Sequence, residues 1–178
     1  MSGRPSGVSL PLVFRKGDGG RLGIARSGLE RMLSFTQRGP HDTEAGGVLI
    51  GRFIEGGEDV VVDLVTPPLP GDRRSRSRFH RAQRTHQEVI DHEWQASGGT
   101  RTYLGEWHTH PEPYPTPSTI DLNGWRQRMK RDTFHGDTLH FLIVGQVEVR
   151  AWEMRRGLCI PYVAPRATRL ARTEEGES

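Results

Sequence analysis

A chain of 178 residues is long enough for one compact domain with a complete core of its own. A formal charge of +3, a hydrophobic fraction of 33% and a negative mean hydropathy describe a water-soluble chain and give no case for nucleic-acid binding. No apolar run approaches the roughly 20 residues that span a bilayer, and Leu10-Pro11-Leu12-Val13-Phe14 is too short for a secretory core, so the expected compartment is the cytoplasm. Cys159 is the single cysteine, which excludes an intrachain disulfide and a cysteine-based zinc cluster. Flanked by Leu158 and Ile160, it reads as a small strand hydrophobe.

The spacing of Leu29, Met32 and Leu33 predicts a helix over Ala25–Gln37, with Gly39-Pro40 as its stop. Gly46–Ile54 and Val60–Val65 read as strands joined through Glu55-Gly56-Gly57-Glu58, a hairpin turn. Thr66–Ser77, with three prolines and then arginines, is expected to be an exposed loop, and Ser77–Arg81 a short strand. Gln83–Ser97 is predicted helical with Val89, Ile90 and Trp94 on its buried face, ended by Gly98-Gly99. Tyr103–His110 follows as a strand, then Ser118–Lys130 as a helix packed through Ile120, Trp125 and Met129. Leu139–Val144 and Val147–Met154 form a second expected hairpin, and Pro165–Ser178 a polar, frayed end. No internal repeat or long linker divides the chain. Interleaved strands and helices imply an α/β (α+β) sandwich.

The chemistry concentrates at His108-Thr109-His110-Pro111 and Ser118-Thr119-Ile120-Asp121. Strand residues two apart share a face, so His108 and His110 can approach one ion together while Trp107 and Thr109 turn into packing. Pro111, Pro113, Pro115 and Pro117 stiffen the connection. Ser118 stands at the natural N-cap of the next helix with Asp121 three residues on, as in a capping box, which lets Asp121 supply a third ligand. Imidazole and carboxylate donors at about 2.0–2.2 Å suit zinc, whose bound water has a pKa lowered from about 15.7 to roughly 7. In this reading Glu44, in Glu-Ala-Gly-Gly-Val-Leu-Ile-Gly, takes the water's proton and returns it to the leaving amine. Ser118 stabilises the oxyanion. Glu106 shares the histidines' face and has the reach to ligate or act as base instead; a position at the rim is the reading adopted. Ser118 and Asp121 would also serve as a plain helix cap.

These residues resemble the pattern of the JAB/MPN superfamily of JAMM metalloproteases, a Glu near a Gly-rich strand, then His-x-His-Pro, a spacer and Ser-x-x-Asp. The match falls at Glu44, His108, His110, Pro111, Ser118 and Asp121, and the likeness runs from about Leu22 to Tyr162. The resemblance implies a cytidine-deaminase-like fold, a curved mixed β-sheet flanked by helices. Residues 21–163 would form that domain, 1–20 an N-terminal segment and 164–178 a disordered tail. It further implies one zinc per chain held by His108, His110 and Asp121, with Glu44 as general base and Ser118 as oxyanion donor. The implied activity is cleavage after the C-terminal tail of ubiquitin or a ubiquitin-like protein.

Arg76-Ser77-Arg78-Phe79, His86-Gln87, Trp94 and Gly105-Glu106-Trp107-His108-Thr109-His110-Pro111-Glu112 look more narrowly like prokaryotic JAB proteins of defence islands. These include deconjugating peptidases of CBASS anti-phage operons, which act on a nucleotidyltransferase conjugated through its C-terminal tail by a partner E1/E2-like enzyme. The alternatives are a protease trimming a sulfur-carrier or ubiquitin-like precursor, and a non-catalytic MPN scaffold. The chain lacks the insertions and second zinc of linkage-selective eukaryotic relatives. Arg73, Arg74, Arg76, Arg78, Arg81 and Arg84 have three open readings: a solvated loop, a dock for an acidic protein, or a nucleic-acid contact. His80, His86, His92, His135 and His140 are expected to be structural or exposed, and Trp94 and Trp125 to belong to the core.

Overall fold

The computed structural model describes residues 10–161, with side-chain surroundings given as far as Leu158. The sheet begins early. β1 (Leu12–Arg15) and β2 (Arg21–Ile24) form an antiparallel pair at its edge, so part of the stretch before residue 21 belongs to the sheet. α1 (Arg26–Leu33) follows, then β3 (Gly46–Phe53) and β4 (Val60–Val65) as the expected hairpin. β5 (Arg73–Ser75), inside the segment expected to be loop, pairs with β6 (Arg78–His80), the short strand expected at Ser77–Arg81, in a separate two-stranded ribbon. α2 (Gln83–Ala96), β7 (Thr102–Thr109), α3 (Thr119–Arg131), β8 (Thr138–Val144), β9 (Val149–Arg155) and β10 (Leu158–Pro161) complete the order. The expected tail and the side chain of Cys159 lie outside the described residues.

The main sheet has eight strands in the order β1-β2-β4-β3-β7-β8-β9-β10. β2–β4 and β7–β8 are parallel and the other pairs antiparallel, which makes the sheet mixed. Strands at its centre bury both faces and therefore read as continuous apolar runs. Leu49, Leu142 and Val144 enter the core with Leu29 and Met32 of α1, whereas Val48, Ile50, Phe141 and Ile143 meet Ile90 of α2 and Trp125 and Met129 of α3. The result is the expected helix–sheet–helix sandwich. Trp125 stacks on Phe141 with centroids 4.6 Å apart, worth ~0.5–1.5 kcal/mol beyond the buried area.

A bulge in β7 sets the site's phase. Leu49 pairs with Gly105 and Ile50 with Tyr103, so Leu104 is the extra residue. Gly105 has φ +143°, and a Cβ there would collide with the His140 carbonyl. The extra residue shifts the alternation, placing Tyr103 on the face of Glu106 and His108 while Leu104 joins Trp107 on the other.

Three packing expectations fail. α1 stops at Leu33, where the Ser34 and Thr36 hydroxyls donate to the carbonyls of Arg31 and Leu33 and turn the chain early. Trp94 is half exposed, because its ring covers Gly99 of the following turn and misses the sheet. Ile120 is 57% exposed, since the first turn of α3 overhangs a groove and does not face the core. Gly124 in the middle of α3 costs about 1 kcal/mol relative to alanine.

Candidate metal centre

β7 and α3 deliver the donor atoms. His108 and His110 leave the same face at the end of β7, and Asp121 projects back from the first turn of α3. Nε2 of His108 and Nε2 of His110 are 3.0 Å apart. Asp121 Oδ1 lies 3.2 Å from the first and Oδ2 3.1 Å from the second. His110 turns Nδ1 toward Glu112 at 3.6 Å, so an Nδ1–H tautomer leaves the Nε2 lone pair facing inward. Two imidazole lone pairs aimed at one point alongside a carboxylate require a proton or a cation between them. Donors at about 2.0–2.2 Å around a tetrahedral zinc stand about 3.3–3.6 Å apart. The observed separations are a few tenths of an ångström shorter, within the range of side-chain rotation. The donor set therefore fits a metal ion.

The capping box is present in full. Ser118 Oγ accepts from the Asp121 N–H at 3.1 Å, and Asp121 Oδ2 accepts from the Ser118 N–H at 2.6 Å. Ser118 Oγ also donates to Oδ2 at 2.8 Å. One carboxylate thus closes the cap and faces both imidazoles. Burial works against the Asp121 charge, but hydrogen bonds from His108 and His110 hold its carboxyl well below the usual range. Burial also opposes the His110 imidazolium, and the Asp121 hydrogen bond with the Asp121, Glu44 and Glu112 charges overcomes it, so its pKa is raised.

Glu44 lies just before β3, 4% exposed, with Oε1 4.0 Å from His110 Nε2. Burial pushes its pKa up to about 7, against the opposing pull of His108 and His110. The Phe79 N–H of β6 also opposes the rise at Glu44. Its main chain is held as well: the Glu44 N–H donates to Ser75 O at 2.8 Å, and Arg74 Nε donates to Glu44 O at 2.7 Å. Gly46 permits this docking, because a Cβ there would meet the Phe79 ring and the Trp107 carbonyl at 2.6 Å.

The arginine stretch is accordingly not one thing. Arg74 and Arg76 fasten the segment before Glu44, the latter through the Pro40 carbonyl at 2.6 Å. Arg81, 8% exposed, pairs with Glu106 at 2.7 Å and Asp132 at 3.5 Å. That pairing holds Glu106 outside the converging donors, at the edge of a groove of about 350 Å3 between β6 and α3.

Several supporting residues carried no signal in the sequence. Gln37, fully buried, accepts from Thr109 Oγ1 at 2.9 Å and donates to Arg76 O at 2.9 Å. It ties the reverse face of the histidine strand to the ribbon. The proline loop is stapled to the β8–β9 turn by Gln146 N–H to Glu112 O at 2.7 Å and Val147 N–H to Pro113 O at 3.1 Å. His86 is buried in a chain of its own, with Nδ1 2.7 Å from Thr66 Oγ1 and Nε2 2.9 Å from Asp72 Oδ2.

With this geometry in hand, the comparisons are specific. The family described as prokaryotic homologs of the JAB domain matches residues 26–155. A CD-NTase/cGAS isopeptidase of Vibrio cholerae serotype O1 is 37% identical over 76% of this chain and 83% of its own length. A protein of the same description from Pseudomonas aeruginosa is 38% identical over 63% and 73%. A probable metalloprotease of Sinorhizobium fredii is 35% identical over 49% and 52%. The fold is shared with a solution structure from Desulfitobacterium hafniense at a TM-score of 0.54, 22% identity, and 81% and 89% coverage.

Proposed function

The chain belongs to the prokaryotic JAB-domain family, a JAMM-type hydrolase with a metal-binding group, and from that premise we propose that it is a zinc-dependent isopeptidase. Its substrate in this reading is a CD-NTase-type nucleotidyltransferase joined through its C-terminal tail to an amine, the conjugate being supplied by an E1/E2-like system of cytoplasmic anti-phage defence. The names of the Vibrio and Pseudomonas relatives support the substrate. The observation that carries the chemistry is the convergence of His108, His110 and Asp121 with Glu44 at 4.0 Å.

The reaction adds water across an amide: the acyl–nitrogen bond breaks, a carboxylate forms and the amine leaves protonated. His108, His110 and Asp121 would hold the zinc ion, which supplies Lewis acidity toward water and the acyl oxygen. Glu44 receives the water proton on a carboxylate oxygen and passes it to the leaving nitrogen. Burial raises the proton affinity of Glu44, which favours its taking the proton up. Ser118 is exposed, and its hydroxyl can turn from Asp121 Oδ2 to donate to the acyl oxygen as charge develops there. No residue of the chain need become covalently attached.

Purified protein loaded with zinc should cleave a CD-NTase–lysine isopeptide conjugate. Chelation should reduce the rate to background, and added zinc should restore it. About one bound zinc with no cleavage of that conjugate would overturn the substrate assignment. Retention of activity after complete metal removal would overturn the mechanism.

A further inference from the structure

The groove beside the metal centre is walled on one side by α3, which presents Ile120, Asn123, Gly124, Gln127 and Arg128. These are positions i, i+3, i+4, i+7 and i+8, one continuous helix face. Two of them are unfavourable for the protein taken alone. Ile120 is a large aliphatic side chain left mostly in water. Gly124 sits inside a 13-residue helix, yet a Cβ built on it would meet nothing within 4 Å. Its backbone does not call for glycine either, since it is not among the positive-φ residues. Neither close packing nor a special dihedral explains it, and alanine would favour the helix. The open space is therefore space in the groove, alongside the site where Asp121 is committed.

We propose that Gly124 and Ile120 determine substrate specificity. The absent side chain at 124 lets the main chain of an extended peptide tail lie against α3, and Ile120 covers an apolar side chain of that tail. The inference rests on the isopeptidase reading, because it takes the occupant of the groove to be the tail leading to the scissile bond. Geometry sets the position addressed. Gly124 lies three residues along the helix from Asp121, an advance of about 4.5 Å. An extended peptide advances about 3.3 Å per residue. The contact accordingly falls on the first or second tail residue from the scissile carbonyl. A helical residue with a longer side chain at 124 would fill the space that this segment needs, while leaving His108, His110, Asp121 and Glu44 untouched.

The test uses the full, zinc-loaded chain and a positional library of tail peptides, each joined through its C-terminal carboxyl to the lysine ε-amine of a fluorescent reporter. Gly124→Ala should melt at a higher temperature than the parent and still show a KM raised several-fold. Gly124→Leu should raise KM at least about ten-fold with kcat within about two-fold and unchanged zinc content. Ile120→Ser should lose the parent's preference among apolar and polar residues at the first two tail positions. If the parent cleaves the library and Gly124→Leu cleaves it with the parent's KM and selectivity, the specificity role is overturned and the isopeptidase reading stands. If the zinc-loaded parent cleaves neither the library nor a CD-NTase conjugate, the isopeptidase reading fails and takes this inference with it.

Discussion

Two histidine–aspartate groups with a neighbouring hydroxyl lie in this molecule, and they end in opposite chemistry. His108, His110, Asp121 and Ser118 converge: three donor atoms point at one volume, with imidazole nitrogens 3.0 Å apart, so a proton or a cation must lie between them. Thr66, His86 and Asp72 form a line. The Asp72 carboxylate can only accept, so His86 Nε2 carries the hydrogen. Burial favours the neutral ring, whose Nδ1 then accepts from Thr66 Oγ1, and Thr66 Oγ1 in turn accepts the Val48 N–H at 2.9 Å. Asp72 also accepts the Leu69 and Ala82 N–H groups, each at 2.7 Å. Donors alternate with acceptors until the chain closes on itself, with His86 fully buried and Asp72 nearly so. The same residue types serve as an ion site when their lone pairs face one another and as a clasp when they run head to tail.

Breaking each group in turn sharpens that contrast. Glu44→Gln keeps a side chain of the same shape beside the convergent group but removes its capacity to move a proton. Steady-state kinetics should record a loss of about 10²–10⁴ in kcat, with zinc content by mass spectrometry and thermal stability held near the parent's. Normal turnover would show that another group is the base. His86→Ala strikes the linear group. It removes the side-chain partner of the buried Asp72 carboxylate and the acceptor of the Thr66 hydroxyl, leaving only their backbone N–H donors. Urea unfolding should reveal a loss of about 3 kcal/mol. Zinc stoichiometry and kcat per folded molecule should be unaffected; a parallel loss of metal would mean that the clasp also holds the site.

Acid provides the mildest probe. His140 is fully buried, and desolvation together with the Lys16 charge lowers its pKa to about 3. Its folded value lies below its unfolded value of about 6.5, so the unfolded chain takes up the proton first. Its contribution is complete above pH 6.5 and drains as pH falls toward 3, by at most about 1.4 kcal/mol per pH unit. His86, also depressed by burial against the pull of Asp72, acts in the same direction. Glu44 and His110, whose pKa values are raised, act in the opposite direction on the metal-free chain, so the readout is a difference. In urea titrations between pH 7 and 5, the parent should lose stability relative to His140→Gln as pH falls. An unchanged slope in that variant would assign the acid sensitivity elsewhere.

The sequence was legible where local rules are strict. The limits of β4, the hairpin at Glu55–Glu58 and the capping box at Ser118 and Asp121 all follow from turn chemistry and short periodicity. The His-x-His pair could be read because strand alternation leaves it no other geometry. Ile120 and Trp94 misled because helical spacing gives a face without saying whether core or groove lies opposite it. The strand at Arg78–His80 was legible as Ser77–Arg81, but its partner Arg73–Ser75 was missed for a related reason: it has no apolar pattern, and its strand form comes from pairing with Arg78–His80 and docking on Glu44.

By itself, then, the sequence determined which side chains would converge, since strand alternation pairs His108 with His110 and the capping box turns Asp121 toward them. Tertiary structure decided their phase and their field. The Gly105 bulge chooses what shares a face with His108, Arg81 holds Glu106 away from the donors, and burial beneath the ribbon lifts Glu44 to about 7. Each of these depends on groups far apart in the chain, and no local pattern of residues encodes a distance across the fold.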